Sequence, residues 1–104
     1  MEADTTTMQI EKTIEGGKLT IKVVGRLDTT TSPDLEAAIK LDGVKEVVFD
    51  FSGLEYIASA GLRILLSVQK EMMACGGAMT VAKPNAMVAG VFEMTGLNGV
   101  LTIV

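Results

Sequence analysis

Apolar and polar positions divide the chain into short runs of two kinds. Met8-Gln-Ile-Glu-Lys-Thr-Ile14 alternates apolar and polar residues, and Leu19-Thr-Ile-Lys-Val-Val24 does so again. A period of two marks a half-exposed β-strand. Glu15-Gly-Gly-Lys18 lies between the two runs, and alternating runs joined by Gly-Gly predict an antiparallel hairpin. Residues 1–7, which precede it, are acidic and polar and read as a loose leader. Ser32-Pro33 predicts a helix start, with Ser as N-cap and Pro at the first helical position, where a missing N–H costs nothing. Leu35, Ala38 and Ile39 give this helix a short apolar stripe. Asp34 and Glu36 put carboxylates where the helix dipole favours them, and Asp42-Gly43 breaks the pattern.

The third run, Val47-Val-Phe-Asp-Phe51, is β-branched and aromatic, with Lys45-Glu46 before it and Ser52-Gly53 after it. It predicts a short buried strand followed by a turn. Beyond the turn the period lengthens. Leu62, Ile64, Leu65, Leu66, Val68, Met72 and Met73 fall on one arc of a helix, with Arg63, Ser67, Lys70 and Glu71 opposite. Gln69 lies inside the apolar arc, which leaves it either at the rim or hydrogen-bonded to a loop. Ser59 falls just before the first helical turn, a favoured N-cap position, and Gly76-Gly77 is a stop signal. Ala78-Met-Thr-Val-Ala82 predicts a fourth strand. Lys83-Pro-Asn85 opens a third helix that carries Met87, Val88, Val91, Phe92 and Met94 and closes at Gly96. Val100–Val104 predicts a last strand. The order is ββαβαβαβ over residues 8–104, an α/β domain with a mixed five-stranded sheet, because strand-helix-strand units favour parallel neighbours.

A chain of 104 residues with 48% hydrophobic positions is enough for one core without disulfides or metal. The net charge of −4 speaks against nonspecific nucleic-acid binding, which needs a basic footprint. No apolar run reaches the roughly 18 residues that cross a bilayer, the N-terminus is the reverse of a signal peptide, and a cytoplasmic location is expected. Histidine is absent and Cys75 stands alone. Those two facts remove the usual general base, the commonest metal ligand and any internal disulfide, so neither an enzyme nor a metal or other cofactor is expected. Cys75 reads as an inert small residue, with a redox or metal role as the alternative. Met87 and Met94 read as core filling in preference to a docking surface.

The chemistry concentrates at Ser59. A hydroxyl at a helix start lies beside backbone N–H groups that have no intrahelical partner and beside the positive end of the dipole, so an anion attached there is stabilised. Taken by itself, Ser59 reads as an N-cap. The stretch Asp50-Phe-Ser-Gly-Leu-Glu-Tyr-Ile57 followed by Ser59-Ala-Gly-Leu-Arg-Ile-Leu65 resembles the signature of the STAS domain of bacterial anti-sigma factor antagonists. Gly25-Arg-Leu-Asp28 and Phe92-Glu-Met-Thr-Gly-Leu97 add support.

The resemblance implies a single STAS-like fold. It also implies that an anti-sigma factor serine/threonine kinase phosphorylates the residue at Ser59, and that a serine phosphatase resets it. The unphosphorylated form would bind the kinase and free a sigma factor. The implied partner surface comprises Asp28, Thr29, Thr30, Ala58, Ser59, Ala60, Gly61 and Leu62. Asp28 has a structural role as well, accepting hydrogen bonds from backbone N–H groups of its Thr-rich loop, and Gly61 lets the helix start pack closely against the sheet. Ala58 stands where the family often has Asp or Ser, which removes a polar group from the loop. The family commonly adds a C-terminal helix after the last strand, so either Val104 is the natural end or part of the packing surface lies beyond it.

Two other functions fit parts of the pattern. A STAS scaffold or ligand-sensing module without phosphorylation is suggested by Ala58 and by the ending at Val104. A phospho-aspartate receiver is suggested by Asp50 at a strand end and by Lys83-Pro84 after a later strand. That reading lacks an acidic pair after the first strand to hold Mg²⁺, and it lacks the five-fold βα alternation.

Overall fold

The computed structural model describes residues 8–104; the leader expected over residues 1–7 lies outside them. The sheet contains β1 (Met8–Glu15), β2 (Lys18–Leu27), β3 (Glu46–Ile57), β4 (Ala78–Ala82) and β5 (Thr102–Ile103), in spatial order β1-β2-β3-β4-β5. β1 runs antiparallel to β2, and the other neighbours are parallel. The hairpin turn is the predicted pair, Gly16 at φ 54° and Gly17 at φ 84°, a conformation that glycine adopts without steric cost. The helices are α1 (Ser32–Ala38), α2 (Ser59–Ala74) and α3 (Ala86–Thr95). The α/β class, the element order and the mixed five-stranded sheet are as expected.

Burial alternates along the central strands. Leu19, Ile21 and Val23 of β2, Val47, Phe49 and Phe51 of β3, and Met79 and Val81 of β4 are buried, while the residues between them are partly exposed. One sheet face is therefore covered and the other is open. Phe49 and Phe51 lie with ring centroids 5.9 Å apart, tilted by 50°, within the contact range of aromatic pairs. Leu35 of α1, Leu65 and Met72 of α2, and Val88 and Phe92 of α3 complete the core.

Several boundaries differ from the pattern-based expectation. β3 continues through Ser52-Gly53 to Ile57, so no turn follows Phe51. Its pairing with β2 shifts between Lys22 and Val24 and then resumes, with Val24 opposite Gly53. A Cβ on Gly53 would lie 2.9 Å from Val24 Cγ2, so this glycine gives the neighbouring strand room. α1 starts one residue earlier than expected, because Thr31 is the N-cap and Ser32 is already helical. The Ser32 hydroxyl donates to Asp28 O at 2.6 Å. α1 also ends at Ala38, before Asp42-Gly43, and Ile39 is extended. β5 is only Thr102–Ile103, since a 3-10 turn at Leu97–Gly99 absorbs the residues before it.

The buried arcs of α2 and α3 are narrower than their apolar residue patterns. Met73, Met87 and Met94 are 68%, 53% and 85% exposed, so none of the three fills the core. Each helix has one face on the sheet, and these side chains fall outside it. Gln69 takes the hydrogen-bonded alternative, its Nε2 donating to Val100 O at 3.2 Å. Cys75 is exposed and has Sγ 3.4 Å from Met72 O.

Candidate functional site

β2 and β3 finish side by side. Their last pair is Leu27 with Ile57, and the N–H of Ala58 donates to Leu27 O at 2.8 Å. The loops that follow the two strands are thus neighbours, at the carboxyl ends of parallel strands where α/β sheets usually present their sites. The structure brings together the two segments singled out in the sequence, the Asp28 loop and the start of α2.

Ser59 is exposed and is the first residue of α2. The N-cap is Ala58, extended at φ −103° and ψ 174°, and it has no side-chain cap. The expected N-cap serine is therefore displaced by one residue. Strand β3 runs to Ile57 and the Ala58 N–H is tied to Leu27, so only Ala58 is left to make the bend. The carbonyl of Ala58 accepts from Gly61 and Leu62 N–H at 3.0 and 3.1 Å. Among the described residues nothing accepts from the N–H groups of Ser59 or Ala60. The Ser59 hydroxyl thus sits at the uncapped positive end of a 16-residue helix.

Two positions expected at the partner surface support it from below. Gly61 is buried, and a Cβ on it would stand 2.7 Å from Leu27 Cγ and 3.0 Å from Ile57 Cγ1. The close approach of helix to sheet that was read from this glycine is present. Leu62 is 7% exposed and belongs to the core, so its side chain offers a partner little contact. Ala60 is partly exposed, and Thr29 and Thr30 are exposed.

The Asp28 loop is held by a dense local network. Asp28 Oδ1 accepts from Thr30 Oγ1 at 2.7 Å, Thr30 N at 3.0 Å and Thr31 N at 3.1 Å. This is the structural role foreseen for the carboxylate. The Thr30 hydroxyl, aided by the Thr31 and Thr30 N–H groups and against some desolvation, holds Asp28 below the usual carboxylate range. Thr31 was not foreseen. Its buried hydroxyl accepts from Asp28 N–H at 2.9 Å and donates to Arg26 O at 2.9 Å, which closes the loop on the end of β2. A run of threonines does not show which of its hydroxyls turns inward.

Arg26 and Tyr56 were also missed as functional candidates. They pair across β2 and β3, and the guanidinium carbon lies 4.4 Å from the Tyr56 ring centroid. Arg26 Nε is 3.9 Å from Asp28 Oδ2; with a half-exposed arginine such a pair is worth little energy, but it does orient the cation. Only the strand register brings Arg26 and Tyr56 together, and the register is not readable from either segment alone. A groove of about 340 Å³ lies between α1 and α2, lined by Thr29, Ser32, Glu36, Ala60, Arg63 and Ser67 among others.

Asp50, the acceptor in the receiver alternative, does not end a strand. It lies in the middle of β3, at a partly exposed position between buried Phe49 and Phe51. Its carboxylate accepts from Ser52 N–H at 2.9 Å. Ser52, through its N–H and its hydroxyl, holds Asp50 below the usual range, with smaller help from Lys22 and Lys83 and against some desolvation. Among the described residues no group of three or more His, Cys, Asp or Glu is placed to hold a metal ion. No helix is long and apolar enough to cross a membrane.

Several known proteins resemble this chain in sequence and fold. The chain is 32% identical over 90 residues to BtrV of Bordetella bronchiseptica, named as an anti-sigma factor antagonist, covering 84% of this chain and 78% of that one. It is 29% identical over 100 residues to the anti-sigma F factor antagonist of Paenibacillus polymyxa, covering 92% and 86%. The fold matches the anti-sigma factor antagonist SpoIIAA in its unphosphorylated form with a TM-score of 0.79 at 22% identity, over 94% of this chain and 88% of that one. It matches the phosphorylated form of the Bacillus cell fate determinant SpoIIAA with a TM-score of 0.71, also at 22% identity, over 94% and 91%. Anti-sigma factor antagonists are regulatory proteins and not enzymes. The STAS domain profile covers residues 9–104, and the chain belongs to the STAS domain family.

Proposed function

We propose that this protein is an anti-sigma factor antagonist switched by phosphorylation of Ser59. In the unphosphorylated state it binds an anti-sigma factor serine/threonine kinase in the cytoplasm and frees the sigma factor. The observation that carries this reading is the exposed Ser59 hydroxyl at the uncapped start of α2, next to the rigid Asp28 loop. Binding presents that hydroxyl to ATP held by the kinase. Phosphorylation adds about −1.5 to −2 charges. The free domain tolerates them because the helix end favours an anion. In a desolvated interface the dianion faces the partner's nucleotide phosphates or acidic groups, and such like-charge contact costs several kcal/mol. A serine phosphatase restores the hydroxyl. The domain supplies the substrate and the surface; the partner supplies the catalysis.

Incubation with the cognate kinase and ATP, followed by mass spectrometry, should place one phosphate on Ser59 and none on Ser59→Ala. Ser59→Asp should bind the kinase at least about tenfold more weakly than Ser59→Ala, with both variants unfolding at similar temperatures. Phosphate on another residue, or equal affinities of the two variants, would sink this reading.

One observation favours a second reading. The cap residue Ala58 offers no polar group to a kinase, which suits a STAS scaffold or ligand-sensing module that is never phosphorylated. In that case the kinase leaves Ser59 unmodified while the protein still captures a partner in pull-downs.

A further inference from the structure

We propose that Arg63 is a phosphate-positioning residue, whose guanidinium folds back over the first turn of α2 to grip a phosphoryl group on Ser59. The inference rests on the reading of Ser59 as the modified residue and names the group of this chain that handles the modification.

Residues four apart on a helix are separated by about 6 Å along the axis and about 40° around it. Side chains lean toward the helix N-terminus, so Arg63 is carried toward Ser59 and away from the core. Both residues are exposed. Arg63 lines the groove together with Ala60 and Thr29, which puts it on the flank of the first turn and facing the Asp28 loop. Among the described residues the ion pair that forms is Arg26 with Asp28, and Arg63 takes part in none. The charged residue that lines the groove with Arg63 is Glu36 of α1. Glu36 is the competitor for the guanidinium, but one exposed carboxylate offers less than a dianion. A phosphoserine presents oxygens that match the arginine fork two at a time. The bond fixes the phosphate against the helix and neutralises part of its charge in the free domain. The phosphorylated form is then the better-ordered state of this surface. A kinase interface has to accommodate the phosphate and the arginine it engages.

The test uses phosphoserine installed at position 59 by genetic encoding, so that no kinase is needed. Wild type, Arg63→Ala and Arg63→Lys are titrated by ³¹P NMR. The phosphate of the Arg63 protein should lose its second proton about two- to fivefold more readily than that of Arg63→Ala. Arg63→Lys should fall between them, and the gap should narrow as salt rises. Coincident curves for Arg63 and Arg63→Ala at low salt overturn the proposal. Arg63 is exposed, so the alanine variant should keep the wild-type melting temperature and the comparison stays clean. A kinase that ignores Ser59 would defeat the functional reading without altering this titration. A flat titration would defeat the clamp without touching the kinase result.

Discussion

Gly61 decides how near α2 can come to the sheet. The space for its missing side chain is taken by Leu27 and Ile57, with the three nearest atoms between 2.7 and 3.0 Å from a would-be Cβ. Gly61→Ala gains up to about 1 kcal/mol in helix propensity, but it forces two fully packed side chains to move. A net loss of about 1–3 kcal/mol in denaturant unfolding is expected; unchanged stability would mean that Leu27 yields freely. Asp28 makes a prediction about pH. Its carboxyl is held below its ordinary value, first by the Thr30 hydroxyl. The folded state therefore gains from the ionised form above the unfolded value of about 3.9, and it loses that gain as pH falls through the lower folded value. Asp28→Asn should flatten the acid limb of the stability profile below about pH 4, measured by thermal melts from pH 6 to pH 2. An acid limb as steep as the wild type's would show that Asp50, held low in the same direction by Ser52, carries the effect alone. Asp28 is legible in the sequence because its partners are local, whereas the Leu27 side chain that makes Gly61 necessary comes from a distant strand. Ser59 is the first helical residue and not the cap, because the chain bends at Ala58, whose carbonyl already accepts from Gly61 and Leu62.

At the scale of elements, α3 shows how a local signal and a distant contact combine. Asn85, the last residue of the Lys-Pro-Asn run that opens the helix, is its N-cap, and its Oδ1 accepts from Val88 N–H at 2.8 Å. The same side chain donates from Nδ2 to Leu54 O at 3.1 Å, which ties the helix start to the bulged half of β3. Asn85→Ala removes a cap and leaves the Leu54 carbonyl without its donor. Its cost should reach about 1–2 kcal/mol. Amide exchange should quicken at Val88 and Ala89; an unchanged rate there would argue that the helix start is held by packing alone. The helix ends as expected at Gly96, left-handed at φ 77°, where glycine is favoured as a C-cap. The opening of α3 could be read from sequence and the link to β3 could not. For α2 the arc of buried residues was legible up to Met72, whereas Met73 and Gln69 depended on where the last strand and its 3-10 turn came to rest.

The whole molecule has a single covered sheet face, and that arrangement sorts its large apolar residues. Phe92 is fully buried and Met94, two residues on, is 85% exposed. Phe92→Ala should cost about 3–5 kcal/mol in unfolding free energy, whereas Met94→Ala should stay within about 0.5 kcal/mol. A large loss from Met94→Ala would place that side chain in a packed environment. The same arrangement sets the Asp28 loop beside the first turn of α2, and Thr29 and Ala60 line one groove.

The strand and helix types, their order, the hairpin and the serine at the head of α2 are consequences of residue period and local backbone chemistry. Those act over a few positions, and the sequence alone was enough to determine them. The run of β3 through Ser52-Gly53, the pairing of Arg26 with Tyr56, the inward turn of Thr31, and the exposure of three methionines were decided by tertiary structure. Each of them depends on what a neighbouring element offers: a strand to pair with, a carbonyl to satisfy, or a face that is already full.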